Sequence, residues 1–175
     1  MLKKLLIALA VGGIAAPAFA HATLEQGTAP AGSTYKAVLR VPHGCEGKPT
    51  NVVRVKLPRG YYAVKPMPKP GWTLEKVKGK YDKPFNNHGT EMTEGVTEIV
   101  WSGGNLPDDE YDEFIMRGSL GGDLTVGAKL YFLVVQECPE GAAQRWIEIP
   151  AEGQDPHDLA KPAPLVTIGE KKSDH

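Results

Sequence analysis

Val53-Arg54-Val55-Lys56-Leu57-Pro58 alternates apolar and basic side chains and stops at a proline. A period of two places Val53, Val55 and Leu57 on one face, so the segment predicts a strand with one face buried and the other in water. Similar pieces recur along the chain. They are residues 35–41 (YKAVLRV), 72–77 after the proline-rich turn KPMPKPG at 65–71, 97–101, 111–117, the apolar run 130–135, and 146–149. Twenty glycines and fifteen prolines break up the 175 residues, which argues against long helices. Seven strand candidates in one chain of this length predict an all-β, immunoglobulin-like β-sandwich in a single domain. Gly103-Gly104 and Gly121-Gly122 are read as turns, and the polar stretch 80–95 as a long surface loop. Beyond Ala151 periodicity is lost. Pro156, Pro162 and Pro164 predict an extended segment lying on the domain, 165–168 an edge strand, and 169–175 a disordered tail.

The first twenty residues have a separate logic. Lys3 and Lys4 precede an apolar stretch at 5–16, and Ala18-Phe19-Ala20 is a small-x-small cleavage site. This is the pattern of a secretory signal peptide over 1–20, and it predicts export, to a bacterial periplasm, with His21 as the first residue of the mature chain. The remaining 155 of the 175 residues suffice for one domain with a core. Without Lys3 and Lys4 the mature chain has 18 basic against 21 acidic residues, a net charge near −3. That balance argues against nucleic acid as a partner. No second apolar run approaches 18 residues, so no transmembrane segment is expected after processing. Cys45 and Cys138 are an even pair in a chain with an export signal, which reads as a disulfide; a pair of soft copper ligands is the competing reading.

No nucleophile elbow, phosphate loop, HExxH or dinucleotide fingerprint occurs, and no enzymatic activity is expected. The acidic runs Asp108-Asp109-Glu110 and Asp112-Glu113 read as solvated loop faces. The chain has five histidines. His88 falls in the predicted loop, His175 in the tail and His157 in an irregular region. His21 is different, because cleavage would give it a free α-amine beside its imidazole. Amine and Nδ1 together form a chelate that no internal histidine can form, and nitrogen donors of this kind suit copper. His43, in Pro42-His43-Gly44-Cys45 directly after a strand, reads as a packed side chain or as a further donor. Glu113 shares a strand face with Tyr111 and Ile115, where it either meets solvent or supplies an anionic ligand.

The mature start His21-Ala22-Thr23-Leu24 is followed by Leu39-Arg40-Val41-Pro42-His43-Gly44-Cys45-Glu46-Gly47 and Pro70-Gly71-Trp72. Ile99-Val100-Trp101-Ser102-Gly103, Leu106-Pro107 to Asp112-Glu113-Phe114, and Gln136-Glu137-Cys138 to Trp146 come next. In this order the blocks resemble the YcnI-like domain family of exported bacterial copper-binding proteins over essentially the whole mature domain. The resemblance implies an immunoglobulin- or fibronectin-like sandwich over 21–168. It also implies one Cu(II) per chain, held in a monohistidine brace. His21 would supply amine and imidazole, Glu113 the carboxylate, and Trp146 would lie beside the metal with His43 nearby. Glu25 is a local alternative carboxylate, read as an exposed strand residue, while Trp72 and Trp101 are read as core. The implied role is periplasmic copper sequestration or delivery, with other periplasmic or membrane copper-handling proteins as partners. Two other readings accompany it. A histidine-brace monooxygenase would need a second histidine ligand, and a metal-free sandwich would serve only to bind a protein partner.

Overall fold

The computed structural model describes residues 21–171. The predicted signal segment, 1–20, and the end of the predicted tail, 172–175, lie outside the described residues. Twelve strands occur among the described residues: β1 (Thr23–Leu24), β2 (Thr28–Pro30), β3 (Thr34–Val41), β4 (Thr50–Lys56), β5 (Tyr61–Pro66), β6 (Thr73–Asn87), β7 (Thr90–Leu106), β8 (Asp112–Leu120), β9 (Lys129–Tyr131), β10 (Leu133–Glu137), β11 (Ala143–Trp146) and β12 (Leu165–Gly169). No helix among those residues is long and apolar enough to cross a membrane.

The strands form a four-stranded sheet ordered β1-β3-β8-β5, a five-stranded sheet ordered β11-β10-β4-β7-β6, and a small sheet β2-β12-β9. The alternation predicted for β4 is realised, with Val53 and Val55 fully buried and Lys56 exposed. On β3, Tyr35, Ala37, Leu39 and Val41 point inward, and on β8 Phe114 and Met116 do the same. Side chains from all three sheets join one hydrophobic core. Trp101 of the five-stranded sheet meets Phe114 of the four-stranded one at 5.4 Å between ring centroids. Trp72 meets Phe114 from outside the sheet at 5.0 Å, so both tryptophans serve packing, as read from the sequence.

Several expectations are corrected. Residues 80–95 are no loop: β6 and β7 form a long hairpin, turned at His88-Gly89. Both turn residues have positive φ, 51° and 90°, the geometry that matches hairpin twist. The stretch reads as loop because its far end carries polar residues on both faces. Gly103-Gly104 makes no turn either. It sits inside β7, where the register against β4 slips between Thr50 and Val52, an irregularity that accommodates extra residues. Gly103 takes φ 77°, and a Cβ on Gly104 would fall 2.0 Å from the Trp72 ring. The run 130–135 is divided between two sheets. β9 pairs with β12, β10 pairs with β4, and buried Phe132 marks the switch by donating its N–H to the Pro164 carbonyl at 2.8 Å. The strand expected over 146–149 ends at Trp146, leaving Ile147 and Ile149 exposed. β12 is the middle of its sheet, not an edge, and includes Gly169, which pairs with Pro30.

Candidate metal centre

The candidate residues gather where β1 begins, β3 ends and β10 and β11 run side by side. His21 lies two residues before Thr23, at the mouth of β1, and is half-buried. Its ring meets Trp146 edge-on, with centroids 5.8 Å apart and planes at 66°. His43, two residues past the end of β3, meets the same indole at 6.1 Å and 72°. Trp146 is 4% exposed and closes β11, opposite Val134 of β10. One indole thus receives an imidazole from each of two separate segments.

Buried Gln136 fixes this arrangement. It sits on β10 at the inward parity shared by Phe132, Val134 and Cys138. Its Oε1 accepts the Trp146 indole N–H at 2.5 Å. Its Nε2 donates to the His43 carbonyl at 2.8 Å and to the Thr50 hydroxyl at 2.9 Å. A buried amide is costly unless paired, and here both ends of the group are used. The predicted disulfide is present. Cys45 and Cys138 are joined with Cα atoms 6.1 Å apart, which ends the soft-ligand reading of the two sulfurs. The bridge lies two residues from His43 and two from Gln136, so it ties together the two segments that Gln136 spans. Gly44 completes the turn, since a Cβ there would fall 2.0 Å from the Lys48 carbonyl oxygen. The Lys161 ammonium stands over the Trp146 ring, 5.8 Å from its centroid.

His43 Nδ1 lies 2.7 Å from the Gly44 carbonyl oxygen. A carbonyl oxygen only accepts, so in this contact Nδ1 is the donor.

Glu113 has a different neighbourhood. Register places Thr23 opposite Arg40 and Arg40 opposite Glu113, one row across β1, β3 and β8. The Arg40 guanidinium bridges two carboxylates, Glu25 at 3.2 Å and Glu113 at 3.5 Å. Glu113 therefore stands two strands from β1 with its charge matched by Arg40, and Glu25 shares the same cation. Among the described residues no group of three or more His, Cys, Asp or Glu side chains is gathered to hold a metal ion. The predicted set does not depend on side chains alone, because one of its donors is a main-chain amine.

The structure thus brings His21, His43, Trp146, Cys45 and Cys138 into one region and leaves Glu113 on the adjoining sheet face. Reading the sequence missed the parts played by Gln136 and Arg40. Both carried a signal: each is a long polar side chain next to apolar ones, Gln136 after Val134-Val135 in LVVQE and Arg40 between Leu39 and Val41 in TYKAVLRV.

Fold and topology make the molecule an immunoglobulin-like β-sandwich with a cross-linked polar cluster at one end. The chain belongs to the family described as a domain of unknown function (DUF1775), which matches residues 21–168. It is similar to an uncharacterized protein from Nocardia farcinica whose crystal structure reveals an immunoglobulin-like fold. The two are 22% identical with a TM-score of 0.62, over 85% of this chain and 98% of that one. The sixth cohesin of Acetivibrio cellulolyticus scaffoldin B, crystallised with a Cel5 dockerin mutant, is 6% identical with a TM-score of 0.43, over 85% of this chain and 97% of that one. No curated protein matches the chain.

Proposed function

We propose that the chain is an exported, YcnI-like Cu(II)-binding protein that sequesters or delivers copper in the periplasm, with one ion per chain. Signal cleavage after Ala20 creates the site. His21 then offers its α-amine and imidazole, and Glu113 turns from Arg40 to supply the carboxylate. Arg40 keeps Glu25 as partner, so releasing Glu113 does not strand the guanidinium. Copper is cargo in this reading. The chain captures the ion, shields it with Trp146 and passes it to other copper-handling proteins of the envelope, without catalysing a reaction.

The observation that carries the reading is the packing of His21 against Trp146, whose indole N–H is itself anchored by buried Gln136. A first mature residue with no role would not need such a seat. The test is a Cu(II) titration of the mature chain, begun at His21, beside its Glu113→Gln variant. We expect one equivalent of tetragonal copper and marked quenching of tryptophan fluorescence. Glu113→Gln should bind at least about tenfold more weakly, as loss of a charged ligand demands. Unchanged affinity in Glu113→Gln removes Glu113 from the ligand set.

A further inference from the structure

We infer that the outward face of the four-stranded sheet docks an acidic segment of a partner protein along a row of three aligned cations. No metal takes part, and the surface does not depend on the copper reading. Register builds the row. Lys36 of β3 lies opposite Arg117 of β8, and Lys65 of β5 lies opposite the same Arg117. All three are exposed, whereas their chain neighbours Tyr35, Ala37, Val64 and Met116 are buried, so the cations stand on the outward face. Like charges directly opposite one another weaken a sheet. Among the described residues none of the three cations makes an ion pair. Glu25 and Glu113 are both engaged by Arg40. Glu94 of the β6–β7 hairpin borders a pocket beside Lys65, but Lys78 lines that pocket too. The fold therefore carries a line of unmatched positive charge, although the chain from His21 onward has a net charge near −3.

The neighbouring row selects the kind of anion. Two residues along each strand, Val38 lies opposite Ile115, and Met67 donates its N–H to the Ile115 carbonyl at 2.8 Å. These side chains share the parity of the cations, so an apolar row runs beside the charged one. Met67 there is 50% exposed. An inorganic anion would use the charged row alone. An extended peptide of alternating acidic and apolar residues uses both, because its successive side chains leave the backbone on opposite sides. Beyond the charged row, Tyr62 lies opposite Ser119 and is stacked on by Phe85 of the hairpin, which gives the row a wall on that side. An anionic bilayer fits less well. It would meet the negative charge of the whole chain, and Val38, 3% exposed, has no surface to insert.

The test is a fluorescence-anisotropy titration of the chain begun at His21 with a short labelled peptide of alternating glutamate and leucine, without copper. We expect saturable one-to-one binding that weakens as salt is raised, and none with a lysine–leucine peptide. Arg117→Gln and Lys36→Gln should each weaken binding about tenfold, while Arg59→Gln, which removes an exposed cation outside the row, should leave it unchanged. Arg117→Gln should not lower the urea midpoint, because it relieves the repulsion from both sides. No binding of the glutamate–leucine peptide overturns the inference, as does binding that ignores Arg117→Gln and Lys36→Gln. Binding to phosphatidylglycerol vesicles without binding to the peptide overturns it in favour of a membrane contact.

Discussion

Gln136 offers one amide to three partners, and all three belong to different segments: Trp146 of β11, Thr50 of β4 and the carbonyl of His43. Replacing it by Leu keeps most of the volume but leaves an indole N–H, a hydroxyl and a carbonyl without their partner in a dry environment. Each such loss costs roughly 1–3 kcal/mol, and partial relaxation brings the expected total to about 3 kcal/mol. Urea unfolding of Gln136→Leu should show that drop, together with a red-shifted Trp146 emission. An unchanged midpoint would mean that the amide does not organise the cluster. Sequence reading named His21, His43 and Trp146 together, and in the structure both imidazoles meet the Trp146 indole. It missed Gln136 because a single glutamine in a strand looks like a solvent-facing residue until its parity is compared with Val134 and Cys138.

At the scale of elements, the β6–β7 hairpin is where the sequence was least legible. Its polar composition hid fifteen- and seventeen-residue strands. What holds the arm is aromatic. Phe85 stacks on Tyr62 of β5 with centroids 4.8 Å apart and planes at 14°, and Tyr81 meets Tyr62 edge-on at 5.0 Å. The Tyr81 hydroxyl also accepts the Ala63 N–H at 3.0 Å. The register against β7 shifts between Lys80 and Phe85, the stretch that holds Tyr81 and ends at Phe85. Removing the stack in Phe85→Ala should cost about 1 kcal/mol beyond lost area. Amide exchange should speed up at residues 81–93 while β3 and β8 stay protected. Equal acceleration everywhere would show instead that the arm and sandwich unfold as one unit. The shorter strands were legible in proportion to their alternation: β3, β4 and β8 each have one buried face and one outward face, and these are the segments the period of two found.

For the whole molecule, the core sets an alkaline limit. Burial pushes the Tyr35 hydroxyl up to about 12, and burial with the nearby Asp82 carboxylate does the same for Tyr62. Burial raises Tyr61 still further. Each folded value exceeds the ordinary tyrosine value, so above about pH 10 the unfolded chain releases protons that the folded chain retains. Stability should be flat below pH 10 on account of these groups and should fall as pH rises from about 10 to 12. Urea midpoints across that range, paired with tyrosinate absorbance, check this. A flat midpoint up to pH 12 would contradict the burial of these hydroxyls. Fold class and disulfide were legible because strand period, glycine and proline punctuation and paired cysteines are local signals. The meeting of His21 with His43 at one indole was not, because it depends on how β1, β3 and β11 assemble across two sheets.

The proposed copper site needs the processed terminus and not the His21 side chain alone. Two otherwise identical chains test it, one beginning at His21 and one retaining Ala20. Each is titrated with Cu(II) and examined by EPR. Retaining Ala20 converts the α-amine of His21 into an amide, so the account predicts an affinity lower by at least about a hundredfold and an altered spectrum, since a chelating nitrogen is lost. Equal affinity and identical spectra in the two chains would contradict it.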